Sequence, residues 1–171
     1  MFELKRISRE AIPGALAKAE RYRLLNQARQ AESICLDVLA IDPRSQDALV
    51  TLLLARTDQF GRVGHQVTAS DALELLDRIE GEYEKAYYEG VVHERWGKSF
   101  AAHPETIAPA LGWIRKAMAL FEKAQSLSPA GNDDAILRWN ACARLVDRME
   151  THGVREPSGA IDFGGDDAPV G

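Results

Sequence analysis

The sequence predicts an all-α protein of seven helices, on three observations. Apolar side chains recur at helical spacing, no clean alternation of apolar and polar residues appears, and Ala, Leu, Glu, Arg and Lys dominate nearly every window. With 171 residues, of which 46% are hydrophobic and 27% charged, the chain suits one domain with a buried core.

Punctuation along the chain places each helix. Ser8 is a candidate cap for the first, and Pro13 is tolerable there only because it falls near the start. That helix is expected to reach about Leu25, with a turn at Asn26 and Gln27. A second covers Ala28 to Ile41 and stops at Asp42-Pro43; Ser45 caps a third from Gln46 to about Gln59. Phe60 to Thr68, holding Gly61 and Gly64, reads as a loop. A fourth helix is expected from Ser70-Asp71 to Glu80-Gly81. The fifth runs from Glu82 to about Trp96, with Gly97 as the left-handed residue past its end. Beyond His103-Pro104, a sixth extends from Thr106 to Leu127 and closes at Ser128-Pro129. The seventh, Asn132 to Glu150, opens on Asn132-Asp133-Asp134, whose acids suit the positive end of a helix dipole.

The helical domain is therefore 1–152. Residues 153–171, with Gly, Pro, Ser and Asp and few large apolar side chains, are expected to form a disordered acidic tail. Within it, Ala160-Ile161-Asp162-Phe163 sets two apolar residues in acidic surroundings, a composition able to dock in a groove. A solubilising extension that touches nothing is the simpler expectation.

Self-similarity is the strongest internal signal. Ala31 precedes Pro43 by twelve positions and Cys35 by four; Ala117 stands in the same relation to Pro129 and Phe121. Ala15, Lys18, Ala19 and Tyr22 take the spacing W-x2-L-G-x2-Y in register with the first set. Ala86, Glu89, Gly90 and His93 take it again, with Gly97 beyond, and Leu49, Leu52, Leu53 and Arg56 fall at the same places between them, paired with Ala72 and Leu76. These residues resemble the tetratricopeptide repeat (TPR), a helix-turn-helix unit of about 34 residues. The resemblance covers about Ile12 to Glu150. The middle unit departs from it by lacking a closing Pro, and the third by carrying about fifteen extra residues before Ala117. It implies a TPR-like α-hairpin solenoid of about three repeats, with the seventh helix as a C-terminal cap.

The family's concave groove, lined by the first helix of each repeat, would here fall on Leu16, Glu20 and Arg23; on Asp47, Val50, Leu54 and Thr57; and on Glu84, Tyr87, Val91, Glu94 and Arg95. An apolar floor edged by charge suits a segment of another protein. The alternative is that Leu54 and Val91 are core residues sealed by the extra stretch at 98–116. The positions matching the family's carboxylate clamp hold Leu16, Glu20, Leu54, Tyr87 and Val91, which supply no cationic or amide donors, so binding of chaperone tails is not expected. Length and acidity also resemble the small TPR chaperones that hold client proteins in bacterial secretion systems.

Other functions find little support. A net charge of −5 disfavours affinity for nucleic acid or anionic lipid. No apolar run of about 20 residues reads as a membrane span, and none follows Lys5-Arg6 as in a signal peptide. Cys35 and Cys142 lie in apolar patterns that suit reduced thiols, so a cytoplasmic protein is expected. His93-Glu94-Arg95-Trp96-Gly97 begins like a zinc-protease helix but lacks the second His, and Gly61-Arg62-Val63-Gly64 lacks the Lys of a phosphate loop. His65, His93, His103 and His152 are far apart in sequence. No catalytic residue, metal or cofactor is expected. Trp96, Trp113 and Trp139 read as packing residues, with Trp113 the candidate for a lid or interface anchor.

Overall fold

A computed structural model describes residues 2–64, 66–101 and 104–152. The proposed tail at 153–171 lies outside the described residues, as do His65 and His103. Seven α-helices follow one another: α1 (Ile12–Leu24), α2 (Ala28–Ile41), α3 (Gln46–Thr57), α4 (Ala69–Leu73), α5 (Glu82–Phe100), α6 (Ile107–Leu127) and α7 (Asp134–His152). Three-residue 3-10 turns at Arg9–Ala11, Leu76–Arg78 and Pro104–Thr106 complete the elements, and no strand occurs among the described residues.

Local chemistry explains most of the boundaries. Pro13 falls in the first turn of α1, where its missing N–H is no loss. Asn26 takes φ +58 in the turn to α2. The Ser45 hydroxyl accepts from the Ala48 N–H at 3.4 Å to cap α3. The start of α4 differs from expectation: Thr68, two residues earlier than Ser70, forms a capping box with Asp71, whose carboxylate accepts from both the Thr68 N–H and hydroxyl at 2.7 Å.

Two further expectations are corrected. The fourth helix does not reach Glu80; after Leu73 the chain tightens into the 3-10 turn and leaves it extended at Ile79. That path buries Leu75 and Ile79 together, and Gly81 at φ +85 then turns the chain into α5. Gly97 does not end α5 but lies inside it, buried against α6. A Cβ on Gly97 would stand 2.9 Å from Cγ1 of Ile114, and one on Gly90 would stand 2.6 Å from Cε1 of Phe121. Both glycines, seven residues apart, thus let α5 approach α6 at a distance no side chain permits. Of the described residues in 98–116, 98–100 end α5 and 107–116 begin α6.

Packing proceeds by sequence neighbours, each helix against the next, with further contact between α1 and α3 and between α3 and α5. Ala19, Ala31, Ala86 and Ala117, small residues the sequence singled out, are all buried. Between residues 23 and 80, five hydrogen bonds span 34 to 36 residues, while those from Arg95 to Thr57 and Asp58 span 38 and 37. Arg23 meets Asp58 and Arg29 meets the Gly64 carbonyl, each 35 residues on. Arg78 donates to the Pro43 carbonyl across 35 residues, the Glu80 N–H to Gln46 across 34, and Arg62 to the Asn26 carbonyl across 36. Ala135, Cys142 and Met149 form the buried stripe of α7. No described helix is long and apolar enough to cross a membrane.

Candidate binding face

Three helical stripes, each at i, i+4 and i+7 spacing, hold the residues the sequence singled out: Leu16, Glu20 and Arg23 on α1; Val50, Leu54 and Thr57 on α3; Tyr87, Val91 and Glu94 with Arg95 on α5. They do not share one degree of access. Leu16, Val50 and Tyr87 are half-buried and Glu20 is exposed, as are Asp47 and Glu84. Leu54, Thr57, Val91 and Glu94 are buried, with Val91 at 0% and Glu94 at 1% exposure. Those four support the face from beneath and do not line it. Glu94 is engaged both by Lys98, at the start of the 98–116 stretch, and by Arg138 of α7.

At the C-terminal ends of the stripes the side chains converge. Arg23 Nε donates to Asp58 Oδ2 at 2.8 Å, and Arg95 Nη1 donates to Asp58 Oδ1 at 2.5 Å and to the Thr57 hydroxyl at 2.7 Å. The Thr57 hydroxyl in turn donates to the Leu54 carbonyl at 2.8 Å. Beside this knot, Glu94 accepts from Lys98 at 2.5 Å and from Arg138 of α7 at 3.3 Å, while Arg138 Nε also faces the Tyr87 hydroxyl at 3.4 Å. One cluster therefore ties α1, α3 and α5, and a neighbouring one ties α5 to α7. Burial pulls the Arg95 guanidinium down to about 10, against the opposing attraction of Asp58, so it stays charged at neutral pH. Burial acts the same way on Arg138, but Glu94 and the Tyr87 hydroxyl outweigh it and hold that guanidinium above its usual range.

Asp58 and Arg138 escaped sequence reasoning. Asp58 stands one position past its stripe, beyond the last residue of α3, and Arg138 lies on the helix expected to act as a solvating cap. A register count of 35 from Arg23 would have pointed to Asp58.

The tryptophans pack elsewhere. Trp113 stacks on His93 with ring centroids 5.1 Å apart, inside the α5–α6 hairpin and away from the α5 stripe. His93 is 1% exposed, neither ring nitrogen has a hydrogen-bond partner, and Nε2 lies 3.6 Å from Glu89 Oε1. Burial lowers its pKa, Lys116 adds to that, and Glu89 opposes both. Trp96 packs edge-on against Phe60 and Phe100, and Trp139 donates to Glu122 at 3.0 Å. Tyr83 stacks on Tyr87, and its hydroxyl accepts from Asn132 at 3.1 Å, tying the start of α5 to the turn before α7.

The remaining chemistry is structural. A cavity of about 250 Å³ is lined by Glu32, Arg56, Gln66, Val67 and Asp71. Its charged groups are already paired, Arg56 with Glu32 and with the Asp71 carbonyl, and Gln59 with Glu32. Among the described residues no cluster of His, Cys, Asp and Glu is placed to hold a metal ion. Cys35 and Cys142 are free thiols, both buried and both pushed up to about 12, chiefly by that burial. No family model, curated protein or solved structure matches this chain.

Proposed function

We propose that this protein is a non-enzymatic, cytoplasmic adaptor or scaffold. In this reading it is a TPR-like stack of about three hairpins capped by α7, and it takes a peptide or helix of a partner protein on the face shared by α1, α3 and α5. The observation that supports the reading is the spacing of the five hydrogen bonds that tie the first hairpin to the second and the start of the second to its end. Contacts that return at 34 to 36 residues are what stacked copies of one helix-turn-helix unit produce, since equivalent positions of adjacent copies then meet. Such a stack presents its alternate helices side by side. Leu16, Val50 and Tyr87 supply half-buried apolar anchors there, and Arg23 and Arg95 supply charge at one end.

Affinity capture from the source cell, comparing the wild-type chain with Leu16→Glu and Tyr87→Glu, tests the proposal. Each substitution places a carboxylate at an anchor and is expected to weaken a retained partner by about tenfold or more, about 1.4 kcal/mol, with the circular dichroism spectrum unchanged. A partner held equally by all three proteins would move the binding surface elsewhere.

A further inference from the structure

We infer that the edge formed by the α1–α2 turn and the loop after α3 docks on an anionic phospholipid bilayer, with Leu24, Leu25 and Val63 entering the interface beside Arg21, Arg29 and Arg62. Two adjoining segments make this edge. Arg62 Nη1 donates to the Asn26 carbonyl at 3.2 Å and its Nη2 to Asn26 Oδ1 at 3.3 Å, while Arg29 Nη2 donates to the Gly64 carbonyl at 2.6 Å. Val63 lies between these links and is therefore pinned beside the turn that carries Leu24 and Leu25. Gly61 and Gly64, at φ +68 and +76, bend the loop on either side of it. All three aliphatic residues are open to solvent, Leu24 at 68%, Leu25 at 57% and Val63 at 102%.

Charge selects the occupant. Residues 21–31 and 59–67 contain Arg21, Arg23, Arg29 and Arg62 and no Asp or Glu. Arg23 is committed to Asp58. Arg21, Arg29 and Arg62 are exposed, and among the described residues none of the three forms a salt bridge; Arg29 and Arg62 donate to neutral oxygens, which leaves their charge uncompensated. Glu20, the exposed carboxylate nearest in sequence, stands one helical turn back from Leu24. The whole chain carries −5, which disfavours an anionic surface, but screening confines the field that a docking surface feels to about 8–10 Å. Within that range this edge is cationic.

Shape separates a bilayer from other anionic partners. A protein interface encloses its apolar anchors, whereas these protrude from the ends of two turns with the polar Asn26 and Gln27 beside them. A fluid interface takes up such tips one by one, the aliphatic groups below the headgroups and the guanidiniums among the phosphates. Nucleic acid would engage the arginines and leave the aliphatic tips idle.

Flotation of the full chain with vesicles tests the inference. Vesicles of phosphatidylcholine with phosphatidylserine are expected to retain the protein at least about tenfold better than phosphatidylcholine alone, and high salt to release it. Leu25→Ser with Val63→Ser, and separately Arg29→Gln with Arg62→Gln, should each weaken retention by about tenfold with the circular dichroism spectrum unchanged. Equal retention on the two lipids, or none on either, overturns the inference. Indifference to the serine pair also overturns it, and would move the contact to the exposed Phe2 and Leu4. So does a soluble polyglutamate peptide that binds as tightly as the vesicles and is lost in the serine pair, because the occupant would then be an acidic protein. The face shared by α1, α3 and α5 takes no part in this test, so either proposal can fail alone.

Discussion

Arg23 and Asp58, 35 residues apart, meet at 2.8 Å where the last turn of α1 faces the end of α3. The same carboxylate receives Arg95 from α5. Asp58 is thus the point through which three hairpins are tied, and its side chain remains 20% exposed. Asp58→Ala is expected to destabilise the fold by about 1–3 kcal/mol, less than the full cost of breaking a buried pair because solvent screens part of the attraction. Asp58→Asn should cost about half as much, since the amide oxygen still accepts. Urea unfolding of the three proteins, read at constant slope, measures the difference.

Glycine substitutions should separate close approach from helix propensity. Gly14 and Gly112 have no neighbouring atom within 4 Å of a built Cβ, and both lie in helices. Alanine at either is expected to stabilise by about 0.5–1 kcal/mol. Gly90→Ala gains the same backbone preference but drives a methyl into the ring of Phe121, which is 0% exposed, so a net loss of about 1–3 kcal/mol is expected. Thermal melts of the three alanine variants check the opposite signs.

Acid should weaken the fold through His93. Its pKa in the folded protein lies below the ordinary value of 6.5, so between the two values the unfolded chain binds more protons. The stability it confers is therefore complete above about pH 6.5 and declines as the pH falls toward the lowered folded value. Glu89, 3.6 Å away on the same helix, softens the loss, and Lys116 from α6 deepens it. His93→Phe should keep the stack on Trp113 and flatten the slope of unfolding free energy between pH 7 and 5. An unchanged slope would show that His93 is not its source; Asp71, whose pKa the Thr68 hydroxyl lowers, adds to acid loss only below about pH 4.

Thiol chemistry offers a probe of the core. Both cysteines are fully buried and protonated well above neutral pH. Native protein should react with a thiol reagent more than about 100-fold slower than protein in urea, and Cys142 should be released with α7. Mass spectrometry of the partly labelled chain reads which thiol opens first.

How much of this was legible in the sequence depends on the residue. The helices were, because capping residues, Pro13 and periodic Ala and Leu act locally. The reach of α5 to Phe100 was not, because Gly97 reads as a terminator by its own backbone freedom and only the Ile114 side chain across from it reveals its use. The fourth helix misled for a related reason, since burial of Leu75 and Ile79 overrode a helical pattern in that stretch. For the proposed face, periodicity placed Arg23, Thr57 and Arg95 at one end of their stripes, where they meet. Burial of Leu54 and Val91 was the alternative the sequence offered; that of Glu94 was not legible, because its partner Arg138 comes from α7.

The span of the hydrogen bonds among residues 23–80 bears on how that part of the chain assembles. Each contact closes a loop of about 35 residues, so the entropy lost in making one is modest and similar to the next, growing only with the logarithm of length. Structure can then spread from whichever hairpin forms first to its neighbour, at the rapid rates seen for helical proteins dominated by short-range encounters.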